Sequence, residues 1–152
     1  TVTMDDILKS YRDGNFDVVL KQLEPLAKNG HHQAEEILGL MYKNGRGVKQ
    51  DFEQAVFWFS RAAEGSRPLA QHHLGILYYA GQGVVSDPTR ALMWIYVALA
   101  HYPEGPEKER AIKDRDGIYA QLTRRDKERA KEMAREWLDK RGEGHLLSLP
   151  PN

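Results

Sequence analysis

One stretch of this chain occurs twice without a gap: AEEILGLMYKNGRGVKQDFEQAVFWFSRA at residues 34–62 and AQHHLGILYYAGQGVVSDPTRALMWIYVA at residues 70–98. Eleven positions carry the same residue type in both copies, and the two members of each pair lie 36 residues apart. A fixed period of this length is typical of a solenoid built from stacked supersecondary units. Such a fold usually offers an extended surface for holding another molecule rather than a pocket for chemistry.

Each copy predicts two helices joined by a glycine turn. The shared residues at positions 34, 38, 39 and 42 fall on one stripe of an α-helix. Gly45 and Gly81 are C-cap signals, and an aspartate at an N-cap position opens the second helix of each copy. Gly39 and Gly75 lie inside helices, where glycine costs about 1 kcal/mol relative to alanine. Their presence in both copies indicates that two helix backbones approach each other closely at these points.

The recurring aromatic residues are expected to form the core. Trp58 and Trp94 alternate with small residues on the second helix of each copy, which suits tight helix packing, and Tyr42 and Tyr78 recur in the same way. On this interpretation, Trp58→Ala opens a cavity and costs about 3–5 kcal/mol of stability.

Composition excludes several classes of function. The 152-residue chain has a formal net charge of zero, so no overall field favours nucleic acid or an anionic membrane. It contains no cysteine, which excludes disulfides and thiol chemistry. No apolar run approaches the roughly 20 residues that a membrane-spanning helix needs.

We predict one all-α domain over residues 1–141, an α/α superhelix forming a right-handed solenoid of antiparallel helix pairs. We predict a degenerate repeat at residues 4–30 and two clear repeats at residues 34–65 and 70–102. A pair of capping helices follows at residues 106–141, and a C-terminal tail at residues 142–152. The capping helices are expected to seal the exposed face of the last repeat. Pro25 should kink its helix or make it irregular, and the tail should be frayed.

The shared positions resemble the Sel1-like repeat of bacterial proteins, a relative of the tetratricopeptide repeat. The resemblance lies in the pattern A-x₃-LG-x₂-Y-x₂-G-x-GV-x₂-D-x₃-A-x₂-W-x₃-AA from Ala34 to Ala63, and nearly the same pattern from Ala70 to Ala98. It implies a non-enzymatic adaptor in protein complexes, and many bacterial members are exported, with links to envelope or signalling assemblies. A cysteine-rich branch uses disulfides that this chain cannot form, so a β-lactam-related role suggested for that branch is not implied.

Several features have a structural interpretation that outweighs a chemical one. The glycine turns follow helices and lack the third glycine of a nucleotide-binding loop, and Asp51 and Asp87 are more simply explained as helix caps. Adjacent histidines on a helix point about 100° apart, so we expect no metal site, and no cofactor is predicted. An enzyme using His72 with a groove carboxylate is a further alternative, which an isolated, solvated His72 would contradict.

The candidate binding surface consists of positions that the repeat does not demand. If the first helix of each pair lines the concave face, as in tetratricopeptide proteins, the predicted partner-binding residues are Tyr11, Glu36, Leu40, Lys43, His72, Ile76 and Tyr79. A mixture of apolar and charged side chains suits a peptide or a partner helix. The competing interpretation is an ordinary solvated surface, on which single apolar residues are common.

We therefore predict a module that binds a protein or peptide along its concave face, in a bacterial envelope or signalling assembly. The alternative is binding of envelope polysaccharide or peptidoglycan, which needs a row of exposed aromatic residues, and only Tyr79 and Tyr11 are candidates. We expect no nucleic-acid partner and no membrane insertion, and weak homo-oligomerisation stays open. A periplasmic or otherwise exported location is expected, with the cytoplasm as the alternative.

Overall fold

The computed structural model describes residues 1–149, which form eight α-helices, one 3₁₀ helix and no strand. The helices are α1 (Met4–Arg12), α2 (Phe16–Lys28), α3 (His32–Asn44), α4 (Phe52–Glu64), α5 (Pro68–Ala80), α6 (Pro88–His101), α7 (Pro106–Gln121) and α8 (Arg124–Asp139), followed by the 3₁₀ helix Gly144–Leu146. Each helix from α1 to α6 packs against the next helix along the chain. The predicted all-α helical solenoid is thereby confirmed.

The turns of the two copies have the predicted local chemistry. Gly45 and Gly81 adopt left-handed conformations, with φ of 67° and 68°, and end α3 and α5. A side-chain oxygen of Asp51 accepts a hydrogen bond from the Gln54 amide at 3.1 Å, and Asp87 caps α6 in the same way at 3.0 Å. These contacts satisfy amide groups that a helix N-terminus leaves without a partner.

The two helical glycines mark close helix approaches, as predicted. A Cβ atom placed on Gly39 would lie 2.6 Å from Cδ1 of Phe59, and one placed on Gly75 would lie 2.9 Å from Cγ1 of Ile95. Real Cβ contacts are not this short. The absence of a side chain therefore lets α3 pack against α4, and α5 against α6.

The prediction that Trp58 belongs to the core is wrong. Phe59, its neighbour, is fully buried against Gly39, whereas Trp58 is half-buried at the edge of the N-terminal hydrophobic cluster. Trp94, the equivalent residue of the second copy, is 8% exposed and does lie in the core. The core prediction is wrong in the same way for Tyr42 and Tyr78, which are half-buried and pack against the core from its edge.

The period extends further towards the N-terminus than the sequence pattern shows. Both ends of α2 lie 36 residues before the ends of α4. The equivalent inward positions of these two helices are all fully buried: Val19, Leu23 and Ala27 in α2, and Ala55, Phe59 and Ala63 in α4. Pro25 lies on an exposed position of α2, and the helix runs through it to Lys28.

The C-terminal helices cover the last repeat, but not as a packed pair. Both α7 and α8 pack mainly against α6, and α7 also contacts α5. The segment after α8 differs from the expected frayed tail within residues 142–149. Nε2 of His101 lies 2.9 Å from Oε2 of Glu143, and Leu147 and Leu149 pack against the core. The remainder of the predicted tail, residues 150–152, lies outside the described residues.

Candidate partner-binding groove

The predicted site residues lie along neighbouring helices. Positions 36, 40 and 43 of α3, and positions 72, 76 and 79 of α5, have the i, i+4, i+7 spacing of one helix stripe. Helix α5 contacts α3 on one side and α7 on the other, so α7 takes the place of the next first helix of the solenoid.

A cavity of about 300 Å³ lies between these three helices, and we call it the central groove. Its lining residues are Lys43, Leu69, His72, His73, Ile76, Tyr102, Glu107, Arg110 and Asp114. Three of the seven predicted residues, Lys43, His72 and Ile76, therefore share one cavity.

Lys43 is a half-buried cation without an anionic partner. Its Nζ donates a hydrogen bond to Nδ1 of His73 at 2.8 Å, since an ammonium group can only donate. Burial, followed by the charges of Lys43 and His72, lowers the pKa of His73 to about 3, so this imidazole is neutral at physiological pH. Burial also lowers the pKa of Lys43, and Lys43 makes no salt bridge within residues 1–149. A carboxylate brought into the groove would relieve this desolvation cost.

His72 is not isolated in solvent, but both of its ring nitrogens are already engaged. Nε2 lies 2.7 Å from Oδ2 of Asp114, and Nδ1 lies 3.1 Å from the Tyr102 hydroxyl. An ionised carboxylate only accepts, so Nε2–H donates to Asp114, and Nδ1 shares a hydrogen bond with the Tyr102 hydroxyl. Burial raises the pKa of Tyr102, which keeps its hydroxyl protonated. This arrangement ties α7 to α5 and engages both imidazole nitrogens of His72.

Glu36 is buried rather than exposed to a partner. It is 5% exposed, and its two carboxylate oxygens accept hydrogen bonds from Arg67, at 2.9 Å from Nη2 and 3.3 Å from Nε. Because Arg67 directly precedes α5, this ion pair joins the two repeats. His72, one period after Glu36, makes the corresponding tie from α5 to α7.

The other predicted residues differ in their accessibility. Leu40 and Ile76 are partly buried and pack against the core, whereas Tyr79 is 39% exposed on the same stripe as Ile76. Tyr11 lies outside the central groove. Its hydroxyl accepts a hydrogen bond from Nη1 of Arg46 at 3.2 Å. Of the seven predicted residues, four do not line the central groove: Tyr11, Glu36, Leu40 and Tyr79.

Sequence reasoning missed the wall of the groove that α7 supplies. Glu107, Arg110 and Asp114 belong to a helix without the repeat pattern. In a solenoid that continues, the next first helix lies beside α5, and this rule could have predicted that α7 forms a wall of the groove. The proline and glycine residues at 103–106 concealed it, because they mark a break in the sequence pattern.

Two buried polar residues were also missed. Glu35 is 1% exposed, and its oxygens lie 2.6 Å from Nδ1 of His32 and 2.6 Å from Nε of Arg61. Gln71, its equivalent one period later, is fully buried and donates to the Ala63 carbonyl at 3.0 Å. Both positions link neighbouring helices and make no contribution to an accessible site.

Within the part of the chain that the structure describes, no three histidine or acidic side chains converge as a metal site would require. None of the described helices is both long enough and apolar enough to cross a bilayer.

Helix pairs stacked at a fixed period, with a groove formed between successive first helices, define an α-helical repeat protein. The model of the Sel1 repeat matches residues 32–66 and 68–100, which are the two helix pairs α3–α4 and α5–α6. These two helix pairs are therefore Sel1 repeats. Sel1 repeats are generally protein–protein interaction modules and typically non-enzymatic scaffolds.

Solved structures that share this fold include the following two. One is c5321, a protective antigen present in uropathogenic Escherichia coli strains, with 23% identity and a TM-score of 0.83 over 97% of this chain and 32% of that one. The other is a Sel1 repeat protein from Oxalobacter formigenes, with 20% identity and a TM-score of 0.68 over 91% of this chain and 57% of that one. The present chain thus spans 32% and 57% of the lengths of these relatives. No curated protein sequence matches it.

Proposed function

We propose that the central groove binds a peptide segment of a partner protein and places one carboxylate of that segment beside Lys43. The observation that carries this proposal is the half-buried Lys43 ammonium, which has a neutral imidazole as its neighbour and no salt bridge within residues 1–149. A cation already deprived of part of its hydration gains more from an arriving anion than a fully solvated one does.

The groove supports recognition of more than a charge. Leu69 and Ile76 supply apolar surface, and Arg110 on the α7 side is a second cation without a salt bridge in the described part of the chain. Tyr79 continues the stripe beyond Ile76 and offers an exposed aromatic ring. The segment that fits carries an acidic residue close to an apolar one.

The walls of the groove are held in place before any ligand arrives. The contacts of His72 with Asp114 and Tyr102 join α5 to α7, and Lys43 joins α3 to α5 through His73. A preformed site binds with a smaller cost of ordering side chains.

The first test is site-specific photo-crosslinking in native extract. A photoreactive residue at position 79 should trap one protein that the same residue at Glu132, an exposed position on α8, does not trap. Equal labelling at both positions would contradict a site on this face.

The second test measures the affinity of the trapped segment for Lys43→Gln. Glutamine keeps a donor for His73 but removes the charge, so affinity should fall about tenfold, the effect of losing one charge-assisted contact. Thermal stability should not fall, because glutamine keeps the donor for His73 and removes a charge that burial disfavours. An unchanged affinity would refute the role given to Lys43.

As part of the same proposal, we place the partner in a bacterial envelope or signalling assembly and the chain in the periplasm or another exported location. The support is the resemblance to exported repeat proteins and the likeness in fold to a protein described as a protective antigen. Fractionation of the native cells tests the location. Retention on purified peptidoglycan, without any trapped protein, would instead favour the polymer-binding alternative.

A further inference from the structure

We propose that the outward face of α4, formed by Phe57, Trp58 and Arg61, is a second docking surface, and that its occupant is an amphipathic α-helix of a partner protein. This face carries no residue of the central groove. The proposal rests on an internal comparison, because the chain itself shows how a helix covers the equivalent face one repeat later.

Helix α8 provides the template. It packs on α6, where the Trp137 ring meets the Trp94 ring edge to face with centroids 5.8 Å apart. The covering stripe of α8 consists of Ala130, Ala134, Trp137 and Leu138, at helical spacing. At the end of the helix, Arg141 stacks over Trp137 and forms a salt bridge with Glu64, the last residue of α4.

Within residues 1–149, no helix packs on the equivalent face of α4 as α8 packs on α6. Phe57 and Trp58 lie 36 residues before Met93 and Trp94 and occupy the same positions on their helix. Met93 and Trp94 are 7% and 8% exposed beneath α8, whereas Phe57 is 49% exposed and Trp58 is half-buried. Tryptophan and arginine are enriched at the energetic centres of protein interfaces, and here they stand together on an uncovered helix face.

The uncovered face is also held in one arrangement. The Phe57 and Trp58 rings meet at 83° with centroids 4.9 Å apart, and the Arg61 guanidinium lies 5.8 Å and 5.7 Å from their centroids. Arg61 is fixed from below by Glu35, at 2.6 Å. A partner helix would therefore lose little free energy in ordering these side chains.

Charge at the end of the face specifies the partner further. Lys28 is the last residue of α2 and lies 36 residues before Glu64, the residue that binds Arg141 of α8. A helix that covers α4 as α8 covers α6 would reach Lys28 at the point where α8 carries Arg141. Because the sign of the charge is reversed, this partner helix should carry a carboxylate there.

Two synthetic peptides of residues 123–141, one native and one carrying Arg141→Glu, are suitable probes. Both are labelled with fluorescein and titrated with the full chain, and the measurement is fluorescence anisotropy. We expect saturable binding of both, with the Glu peptide bound up to about fivefold more tightly, as a partly exposed ion pair allows. In Lys28→Glu protein the preference should reverse.

Position 57 tests the surface itself. Phe57→Asp should weaken both peptides about tenfold or more, as truncation of an interface anchor does. Val2→Asp makes the same change at a residue that is 53% exposed and lies before α1, and it should leave binding unchanged. Absence of binding would overturn the proposal. Binding that Phe57→Asp does not weaken would also overturn it, because the peptide could then be replacing α8 on α6.

Sedimentation equilibrium separates the partner helix from a second copy of this chain. A dimer that Phe57→Asp abolishes would mean that two copies cover each other's α4 faces, and it would overturn the assignment to a partner helix. A monomer that binds the Glu peptide supports it. Failure here does not affect the groove proposal, because Lys43 and Tyr79 belong to the other face.

Discussion

Gly39→Ala is the sharpest test of how the repeats pack. In an exposed helix this substitution stabilises by about 1 kcal/mol, because alanine loses less backbone entropy on folding. At position 39 the new Cβ would lie 2.6 Å from Cδ1 and 2.7 Å from Cε1 of Phe59. The Phe59 ring is fully buried and rigid, so relief requires α3 and α4 to move apart.

The expected balance is destabilising. Overpacking of this kind costs about 1–3 kcal/mol and more where the neighbour cannot move, which exceeds the gain in helix propensity. We therefore expect a net loss of about 1–2 kcal/mol, or a fall in Tm of about 2–8 °C for a chain of this size. Urea unfolding followed by far-ultraviolet circular dichroism measures this loss.

Gly117→Ala is the matched control. Gly117 lies in α7, and a Cβ placed there meets nothing within 4 Å, so this variant should be stabilised by about 0.5–1 kcal/mol. If Gly39→Ala were stabilised as much as Gly117→Ala, the close approach of α3 and α4 would be refuted.

Two further predictions concern the core and the groove. Phe59→Ala should cost about 3–5 kcal/mol in urea unfolding, and Trp58→Ala clearly less, because only the first side chain is fully buried; equal losses would contradict the assigned core. The pKa of His73 is lowered from 6.5 to about 3, so below pH 6.5 the unfolded state takes up a proton that the folded state does not. Wild-type stability should therefore fall from pH 6.5 towards pH 3, by roughly 1–2 kcal/mol at pH 5 from this group. His73→Asn keeps an acceptor for Lys43 and cannot titrate. The difference in unfolding free energy between wild type and this variant should therefore change by that amount between pH 7 and pH 5. A constant difference would refute the lowered pKa of His73.

The parts of the fold that were predictable are those set by local and periodic chemistry. Gly45 adopts a left-handed backbone conformation that other residues avoid, and Asp51 caps the helix that follows it. Both features are therefore predictable from a few neighbouring residues of sequence. Gly39 was informative for another reason. A helix does not keep a glycine in its interior without cost, and its recurrence pointed to a packing requirement.

The candidate site was only partly predictable, because the period identifies positions and not exposure. Trp58 recurs as Trp94, yet only the second is covered, since α8 lies on α6 alone. Glu36 was predicted to line the concave face because the repeat does not demand this position, but Arg67, which follows α4 in the chain, forms an ion pair with it and it is buried. Neither outcome depends on residues nearby in sequence.

For this protein, the sequence by itself determined the helix pairs, their caps and turns, the spacing of the repeat and its resemblance to the Sel1 repeat. Each of these depends on interactions within a few residues or on a pattern that repeats. Only the tertiary structure decided which polar residues became ties between repeats, which aromatic faces stayed open and which residues of α7 completed the central groove. These features depend on the burial of one helix by another that is distant in the chain. The repeat pattern cannot predict contacts with a helix, such as α7 or α8, that does not itself follow the pattern.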